Sequence, residues 1–157
     1  MFTQAQVDIF LMESNGIEGV YGKQPLLDAI KAWQTLLFED KLSTLAILNT
    51  HRILMANQRP DIAGHFRRVG VRVGDYIAPN AGSLRRLMFM WHNDWATAKT
   101  QADIKKAHIA FENVHPFEDG NGRVGRIILN WQRVRAGLPI LIIKESERES
   151  YYEWFKK

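Results

Sequence analysis

The residue types best suited to chemistry in this chain lie close together in one segment, from His115 to Arg126. Its sequence is His-Pro-Phe-Glu-Asp-Gly-Asn-Gly-Arg-Val-Gly-Arg. The imidazole of His115 can take up or release a proton near neutral pH. The carboxylate of Asp119 offers the oxygen ligands that Mg²⁺ prefers, together with phosphate oxygens. The segment therefore combines a candidate base with a candidate metal ligand.

The second half of the segment predicts an anion-binding loop. Gly120, Asn121 and Gly122 all tolerate positive φ angles, so that successive N–H groups can converge on an anion. A helical pattern begins at Arg123, and the N-terminus of that helix would point at the same anion. Arg123 and Arg126 are three residues apart and share a helix face. Together these features suit the polyphosphate of a nucleotide.

Other residues are interpreted as structural. Phe117 is expected to anchor the loop in the core, and Asn121 to fix its geometry as well as to present its N–H. His51, His65 and His92 have no acidic residues at metal-ligand spacing, so we interpret each as a surface or core histidine.

The elements that must position this segment are predicted to be mainly helices. Two of them flank it directly, one ending near 114 and one leaving near 122 and stopped by Gly137. Gly16 and Gly19 allow a break, or a short second helix, near Glu18. Apolar periodicity and capping residues predict helices at 3–13, 25–37, 43–54, 84–91, 102–114, 122–136 and 145–157.

Residues 66–78 have a different pattern, typical of a β-hairpin. Valine, isoleucine and aromatic residues are frequent there, and Gly74-Asp75 supplies a turn. The chain is therefore expected to fold as a mainly α protein with one small hairpin.

Length and composition limit the other functions. With 157 residues, 46% hydrophobic residues and 24% charged residues, the chain is expected to form one domain over 1–157 with a real core. It has no cysteine, which excludes disulfides and thiolate chemistry. The net charge is +4, but the basic residues are scattered, so nucleic acid is not an expected partner.

The same composition argues against a membrane protein. The N-terminus lacks the basic start and apolar run of a signal peptide, and no stretch approaches the roughly 20 apolar residues of a membrane helix. We therefore expect a cytoplasmic protein without a membrane anchor.

The segment 115–126 resembles the signature of the Fic family, His-Pro-Phe-x-(Asp/Glu)-Gly-Asn-Gly-(Arg/Lys)-x-x-Arg, and matches it at every fixed position. Gly64-His65-Phe66-Arg67 is similar to the segment that precedes the family's flap. His108 and Phe111 occupy the helix entering the motif, as in many members. The resemblance covers roughly 10–155 and implies a Fic-fold helical bundle with a small β-hairpin flap at about 66–78.

A second short motif lies ahead of the catalytic segment. Ser14-Asn15-Gly16-Ile17-Glu18-Gly19 fits the family's inhibitory pattern, (Ser/Thr)-x-x-x-Glu-(Gly/Asn). Its position, within about 10–20, resembles that of members with an N-terminal inhibitory helix (class II). There Glu18 would form an ion pair with Arg126. A capping serine followed by a surface glutamate would explain the same residues.

The resemblance implies transfer of AMP from ATP to a Ser, Thr or Tyr hydroxyl of a target protein, which can be the protein itself. His115 would be the base and Asp119 would hold Mg²⁺. The N–H groups of Gly120 to Gly122 would take negative charge. Arg123 would hold the β-phosphate and Arg126 the γ-phosphate.

Further positions follow from the same resemblance. Tyr151 and Tyr152 stand where relatives contact adenine, although helix packing explains them equally well. The flap, with Val71, Val73 and Tyr76, would pair with an extended segment of the target.

Three other activities are compatible with the sequence. Members with this arrangement can also remove AMP from a modified protein, with Glu18 orienting a water molecule. A non-catalytic nucleotide-binding regulator would have its site locked by Glu18. Members that transfer phosphate, phosphocholine or UMP usually alter the second half of the motif, which is intact here. The sequence leaves the target and the oligomeric state open.

Overall fold

The computed structural model describes every residue from Met1 to Lys157 and is mainly helical, as predicted. Two short antiparallel strands are the only sheet. The elements are α1 (Gln4–Ile17), α2 (Lys23–Leu37), α3 (Thr44–Met55), β1 (Arg72–Val73), β2 (Tyr76–Ile77), α4 (Leu84–Trp95), α5 (Gln101–Val114), α6 (Asn121–Arg135) and α7 (Arg148–Tyr152).

Side-chain caps fix where several helices begin. Thr3 caps α1 in a capping box with Gln6. The predicted Ser43 cap is confirmed, since its hydroxyl accepts a hydrogen bond from the N–H of Ala46 at 3.0 Å. Thr100 caps α5 in the same way, through the N–H of Asp103.

Two helix boundaries differ from the sequence prediction. Helix α1 runs through Gly16 to Ile17 without a break, and the chain turns only at Gly19, which has a φ of 68°. The predicted helix over 145–157 is wrong: only α7 is α-helical, and 3₁₀ turns precede and follow it. Trp154, in the second turn, packs edge to face against Tyr151, with ring centroids 5.2 Å apart.

Helix α6 is the centre of the fold and packs against α1, α2, α3 and α5. It is buried on all sides along most of its length. Its polar side chains are therefore hydrogen-bonded within the protein. The indole N–H of Trp131 donates to the carbonyl of Leu36, and the amide of Gln132 donates to that of Trp95. The motif at its N-terminus is thus held by the most enclosed element.

The hairpin pairs Arg72 with Ile77 and Val73 with Tyr76, as two residues per strand. Gly74 turns the chain with a φ of 59°. The Tyr76 hydroxyl donates to the carbonyl of Asn113 at 2.9 Å, which ties the hairpin to the end of α5. The predicted hairpin is confirmed, and its strands are short.

A small second core fastens the C-terminal segment to the end of α1. Ile17, Ile143 and Tyr151 form it, with Trp154 and Phe155 packed against them. This cluster brings α7 next to the inhibitory segment predicted around residues 10–20. Across the fold, every helix is too short or too polar to cross a membrane.

Candidate active site

The motif loop lies between α5 and α6 and is closed by its own asparagine. The Asn121 side chain accepts from the N–H of Phe117 at 2.8 Å and donates to the carbonyl of Phe117 at 2.7 Å. Both residues are buried. Asn121 therefore fixes the loop, and Phe117 anchors it in the core, as the sequence predicts.

His51 supports the loop from α3, a role that sequence reasoning missed. Its Nε2 donates to the carbonyl of Asp119 at 2.8 Å, and its Nδ1 accepts from the N–H of Gly64 at 3.0 Å. The ring stacks on Phe117 with centroids 3.8 Å apart. Burial lowers the pKa of His51 to about 4, so the ring is neutral. Of the two interpretations that the sequence left open, a surface or a core histidine, the structure shows the second for His51.

The buried neutral state of His51 predicts a loss of stability in acid. Between the ordinary histidine pKa of about 6.5 and a folded pKa of about 4, the unfolded chain binds a proton that the folded protein does not. Stability should therefore fall as the pH falls through this window, by about 3 kcal/mol from this group. Urea unfolding of wild type and His51→Gln at several pH values measures it.

Glutamine is the matched control, because its amide offers one donor side and one acceptor side but does not titrate. The variant should lose less stability than wild type between pH 6.5 and 4. Parallel losses in the two proteins would show that His51 is not the titrating group.

His115 ends α5 in a left-handed conformation, with a φ of 50° and a ψ of 62°. It is the only residue other than glycine with a positive φ. Its Nδ1 donates to the carbonyl of Glu112 at 3.3 Å, which leaves Nε2 as the unprotonated nitrogen of the neutral ring. Burial lowers the pKa of His115. The imidazole is therefore a neutral base with one free acceptor nitrogen.

Arg67 holds this unusual conformation. The buried guanidinium donates to the carbonyls of His115 at 2.7 Å, Pro79 at 2.6 Å and Val69 at 3.0 Å. It thereby joins the motif loop to both ends of the hairpin. The only sequence signal for this role was the resemblance of Gly64–Arg67 to the segment before the family's flap.

The glycine loop and the first turn of α6 face the end of α1. Gly120 has a φ of 88°, which only glycine adopts readily. A methyl group at Gly122 would collide with Oε1 of Glu18 and lie 2.9 Å from Nη1 of Arg126. The Glu18 carboxylate therefore lies in the anion-binding loop predicted at Gly120 to Gly122, which we call the glycine cradle, against the positive end of the helix.

The predicted inhibitory residues meet Arg126. Nη2 of Arg126 is 2.7 Å from Oε1 of Glu18, across 108 residues of sequence. Nε donates to the hydroxyl of Ser14 at 2.8 Å, and Nη2 also donates to the Ser14 carbonyl at 3.0 Å. The Arg126 side chain is 2% exposed and that of Glu18 33%. The structure thus brings Ser14, Glu18 and Arg126 together, and leaves the carboxylate partly open to solvent.

Arg123 has different partners. Its buried guanidinium donates to the side chain of Gln58 at 2.6 Å and lies 3.7 Å from Oδ1 of Asp119. The sulfur of Met55 is 3.4 Å from its Nη2. Arg123 therefore lines the Asp119 side of the loop, and Arg126 the Glu18 side.

Asp119 offers the more exposed of the two carboxylates of the loop. Its side chain is 53% exposed, and Oδ1 accepts the N–H of Gly120 at 2.7 Å. Glu118 points to Arg59 instead, at 3.4 Å. No three His, Cys, Asp or Glu side chains gather to hold a metal ion by themselves. A single exposed carboxylate suits Mg²⁺ that arrives with phosphate ligands of its own.

Glu112 is a buried carboxyl that sequence reasoning missed. Its Oε1 is enclosed without a hydrogen-bond partner, so close to Gly125 that a methyl group there would be 2.5 Å away. Burial raises the pKa of Glu112 to about 7. The group is therefore uncharged through the acidic range in which an ordinary glutamate ionises.

The two tyrosines of α7 differ in exposure. Tyr151 is 4% exposed, and its ring is enclosed by Trp154 and Phe155. Its hydroxyl lies 3.2 Å from Nη1 of Arg126 and 2.7 Å from Nε2 of His108. Tyr152 is 40% exposed. Tyr152 is therefore the more accessible of the two to a ligand, whereas Tyr151 contacts the site through its hydroxyl.

The hairpin leaves apolar side chains outside. Val73 is exposed and Ile77 more so. Val71 and Tyr76 are half-buried, and the Val71 carbonyl accepts from the N–H of Ala78 at 3.1 Å. The three residues predicted to contact a target therefore lie on one short hairpin fixed to the motif loop.

Comparison with known proteins agrees with this geometry. Two curated proteins named "Protein adenylyltransferase Fic" are similar: one from Aedes aegypti is 34% identical over 92% of this chain, and one from Drosophila willistoni is 35% identical over 70%. The chain spans 29% and 23% of their respective lengths. The solved structure of Fic-1 (residues 134–508) from C. elegans superposes with a TM-score of 0.77 at 25% identity, over 96% of this chain and 55% of that one. Residues 41–132 match the Fic/DOC family, and this chain therefore belongs to that family.

Proposed function

We propose that this protein transfers AMP from ATP to a Ser, Thr or Tyr hydroxyl of a target protein. The observation that carries the proposal is the neutral His115, whose Nδ1 is tied to a backbone carbonyl so that Nε2 is free beside a glycine cradle. The curated relatives, of which this chain spans under a third, are named protein adenylyltransferases. A cytoplasmic location stays a prediction.

His115 is the general base of the proposed reaction. Its Nε2 takes the proton of the target hydroxyl as that oxygen bonds to the α-phosphorus of ATP. The bond from the α-phosphorus to the bridging oxygen breaks, and pyrophosphate leaves. The N–H groups of Gly120 to Gly122 and the N-terminus of α6 stabilise the negative charge.

The two arginines bind the leaving part of the nucleotide. Arg126, once released from Glu18, binds the γ-phosphate, and Arg123, beside Asp119, the β-phosphate. Mg²⁺ bound with the nucleotide would be held by Asp119 and would neutralise the pyrophosphate. The half-exposed ring of Tyr152 is the one that can contact adenine.

Labelled nucleotides test this function directly. Incubation with Mg²⁺ and ATP labelled at the α-phosphate should label the protein or a target in a lysate, because AMP retains that phosphorus. ATP labelled at the γ-phosphate should give no signal. Incorporation of the γ-label alone would show phosphate transfer instead.

The metal assignment gives a second prediction. Asp119→Ala should lose most Mg²⁺-dependent labelling, on the order of 10²-fold, since it removes the more exposed carboxylate of the loop. Glu118→Ala is the matched control, because its neighbouring carboxylate pairs with Arg59. Initial rates of α-label incorporation across a Mg²⁺ titration measure both. A larger loss for Glu118→Ala would contradict the assignment.

Removal of AMP from a modified target is a second candidate, and the position of Glu18 favours it. This carboxylate lies at the cradle with 33% of its side chain exposed, and its charge acts on His115. A carboxylate so placed can orient a water molecule toward the α-phosphorus. The variants of Glu18 that separate the two directions are described in the Discussion.

A further inference from the structure

The hydrogen bonds of Arg126 divide between two elements. Ser14 and Glu18, at the end of α1, accept three of them, from Nε and Nη2. The Tyr151 hydroxyl accepts the fourth, from Nη1, and it belongs to α7. Tyr151 is therefore the only hydrogen-bond partner of Arg126 that lies outside the inhibitory segment.

The direction of this bond is set by His108. Burial, with the charge of Arg126 second, lowers the pKa of His108 to about 3, so the ring is neutral. Because Arg126 can only donate to the Tyr151 oxygen, the hydroxyl hydrogen is directed to Nε2 of His108, 2.7 Å away, which accepts it in the tautomer with its proton on Nδ1. The lone pairs of that oxygen then face Arg126. The chain from Arg126 through Tyr151 to His108 runs in one direction, and such chains strengthen each bond.

We propose that Tyr151, oriented by His108, is a positioning residue that keeps Arg126 aimed at the terminal phosphate of ATP after Glu18 has been displaced. This inference rests on the proposed function. The Tyr151 hydroxyl orients the guanidinium of Arg126 through its hydrogen bond, and the Tyr151 ring does not contact the nucleotide.

The donors of Arg126 support this role. A guanidinium has five N–H groups. Departure of Glu18 frees one on Nη2, and Nη1 has a second hydrogen beyond the one given to Tyr151. Two adjacent donors suit two oxygens of a phosphate. Any shift of α1 that removes Glu18 also disturbs the bonds to Ser14, whereas Tyr151 stays held to α5 through His108.

The packing of Tyr151 argues against a role in adenine binding. Trp154 and Phe155 meet its ring at centroid distances of 5.2 Å, both edge-on, and the residue is buried. No ring face is left for a base. The two roles predict different nucleotide preferences, because AMP has the adenine but lacks the terminal phosphate.

The test is Tyr151→Phe in a Glu18→Gly background, with calorimetric affinities for ATP and for AMP. The substitution keeps the ring and removes the hydroxyl. We expect ATP to bind about tenfold more weakly, the usual effect of losing a hydrogen bond to a charged group, and AMP to bind unchanged. Tyr21→Phe, at an exposed tyrosine that does not contact Arg126, is the control and should leave the ratio of the two affinities unchanged.

Two results would overturn the inference. Equal weakening of ATP and AMP would assign Tyr151 to adenine, and an unchanged ATP affinity would show that its hydroxyl positions nothing. If Tyr151→Phe lowers the melting temperature too far for binding, His108→Leu removes the acceptor from the other end and should lower the ATP preference in the same direction. If His108→Leu keeps the wild-type preference for ATP over AMP, the inference is also overturned.

The readout is separate from the proposed transfer. If no variant incorporates α-label but the preference for ATP over AMP still falls in Tyr151→Phe, the proposed function fails and the positioning role stands. If labelling occurs and the preference does not change, the reverse holds.

Discussion

Replacing His115 by alanine should abolish AMP transfer while ATP still binds. Proton transfer by a positioned base contributes about 10²–10⁴-fold to rate. The other neutral imidazole at the loop, His51, has both ring nitrogens engaged in hydrogen bonds and cannot replace His115 as the base. The nucleotide is held by the loop N–H groups and the arginines, which the change leaves in place. Autoradiography of α-labelled protein, together with calorimetric ATP affinity, measures the two effects.

His65→Ala is the matched control, because that histidine is exposed and close in sequence to the flap. It should label like wild type. Burial lowers the pKa of His115, so its neutral form persists below the ordinary histidine pKa of about 6.5. The wild-type rate should therefore fall only at a pH lower than that value. Near-normal labelling by His115→Ala would remove this residue from the catalytic role.

The features predicted from sequence are those that short-range patterns determine. The loop 115–126 contains its own closing bonds, since Asn121 pairs with Phe117 four residues away. The same holds for the Ser43 cap and the hairpin turn at Gly74-Asp75. The local sequence determines these structures, so they can be predicted without the rest of the fold.

The long-range hydrogen bonds that hold the motif loop in place could not be predicted in this way. His51 reaches Asp119 across 68 residues, and Arg67 reaches His115 across 48. A lone histidine or arginine has no periodicity that reveals such a partner. The buried Glu112 and the bond from Tyr151 to His108 are of the same kind. The C-terminal helix was overestimated because its charge pattern suits a helix, whereas packing of the aromatic residues favours 3₁₀ turns.

The pairing of Glu18 with Arg126 lies between these cases. The residues alone allowed a capped helix end, and only the resemblance to the Fic family suggested an ion pair over 108 residues. The structure contains that pair and also contains a helix that ends at Ile17 with Glu18 as its C-cap. Both descriptions apply to one segment, because the end of the helix is what places the carboxylate in the cradle.

Replacing Glu18 by glycine should raise AMP transfer sharply. The carboxylate occupies the donors of Arg126 and the space beside Gly122 that the terminal phosphate needs. Its removal should strengthen ATP binding by about tenfold, the effect of deleting a competing charged hydrogen bond, and labelling should rise at least as much. Radiolabel incorporation at fixed Mg²⁺ and ATP measures the change. Arg126→Ala in the same background should cancel much of the gain.

Glu18→Gln separates charge from space, because the amide keeps the size of the side chain but loses the ion pair. The radiolabel incorporation of Glu18→Gln should lie between that of wild type and that of Glu18→Gly. If Glu18 also orients a water molecule, both variants should lose removal of AMP from a modified target while transfer rises, since an amide is a poor base. Equal incorporation by wild type and Glu18→Gly would contradict the inhibitory role, and Ser14 to Gly19 would then be only the end of α1.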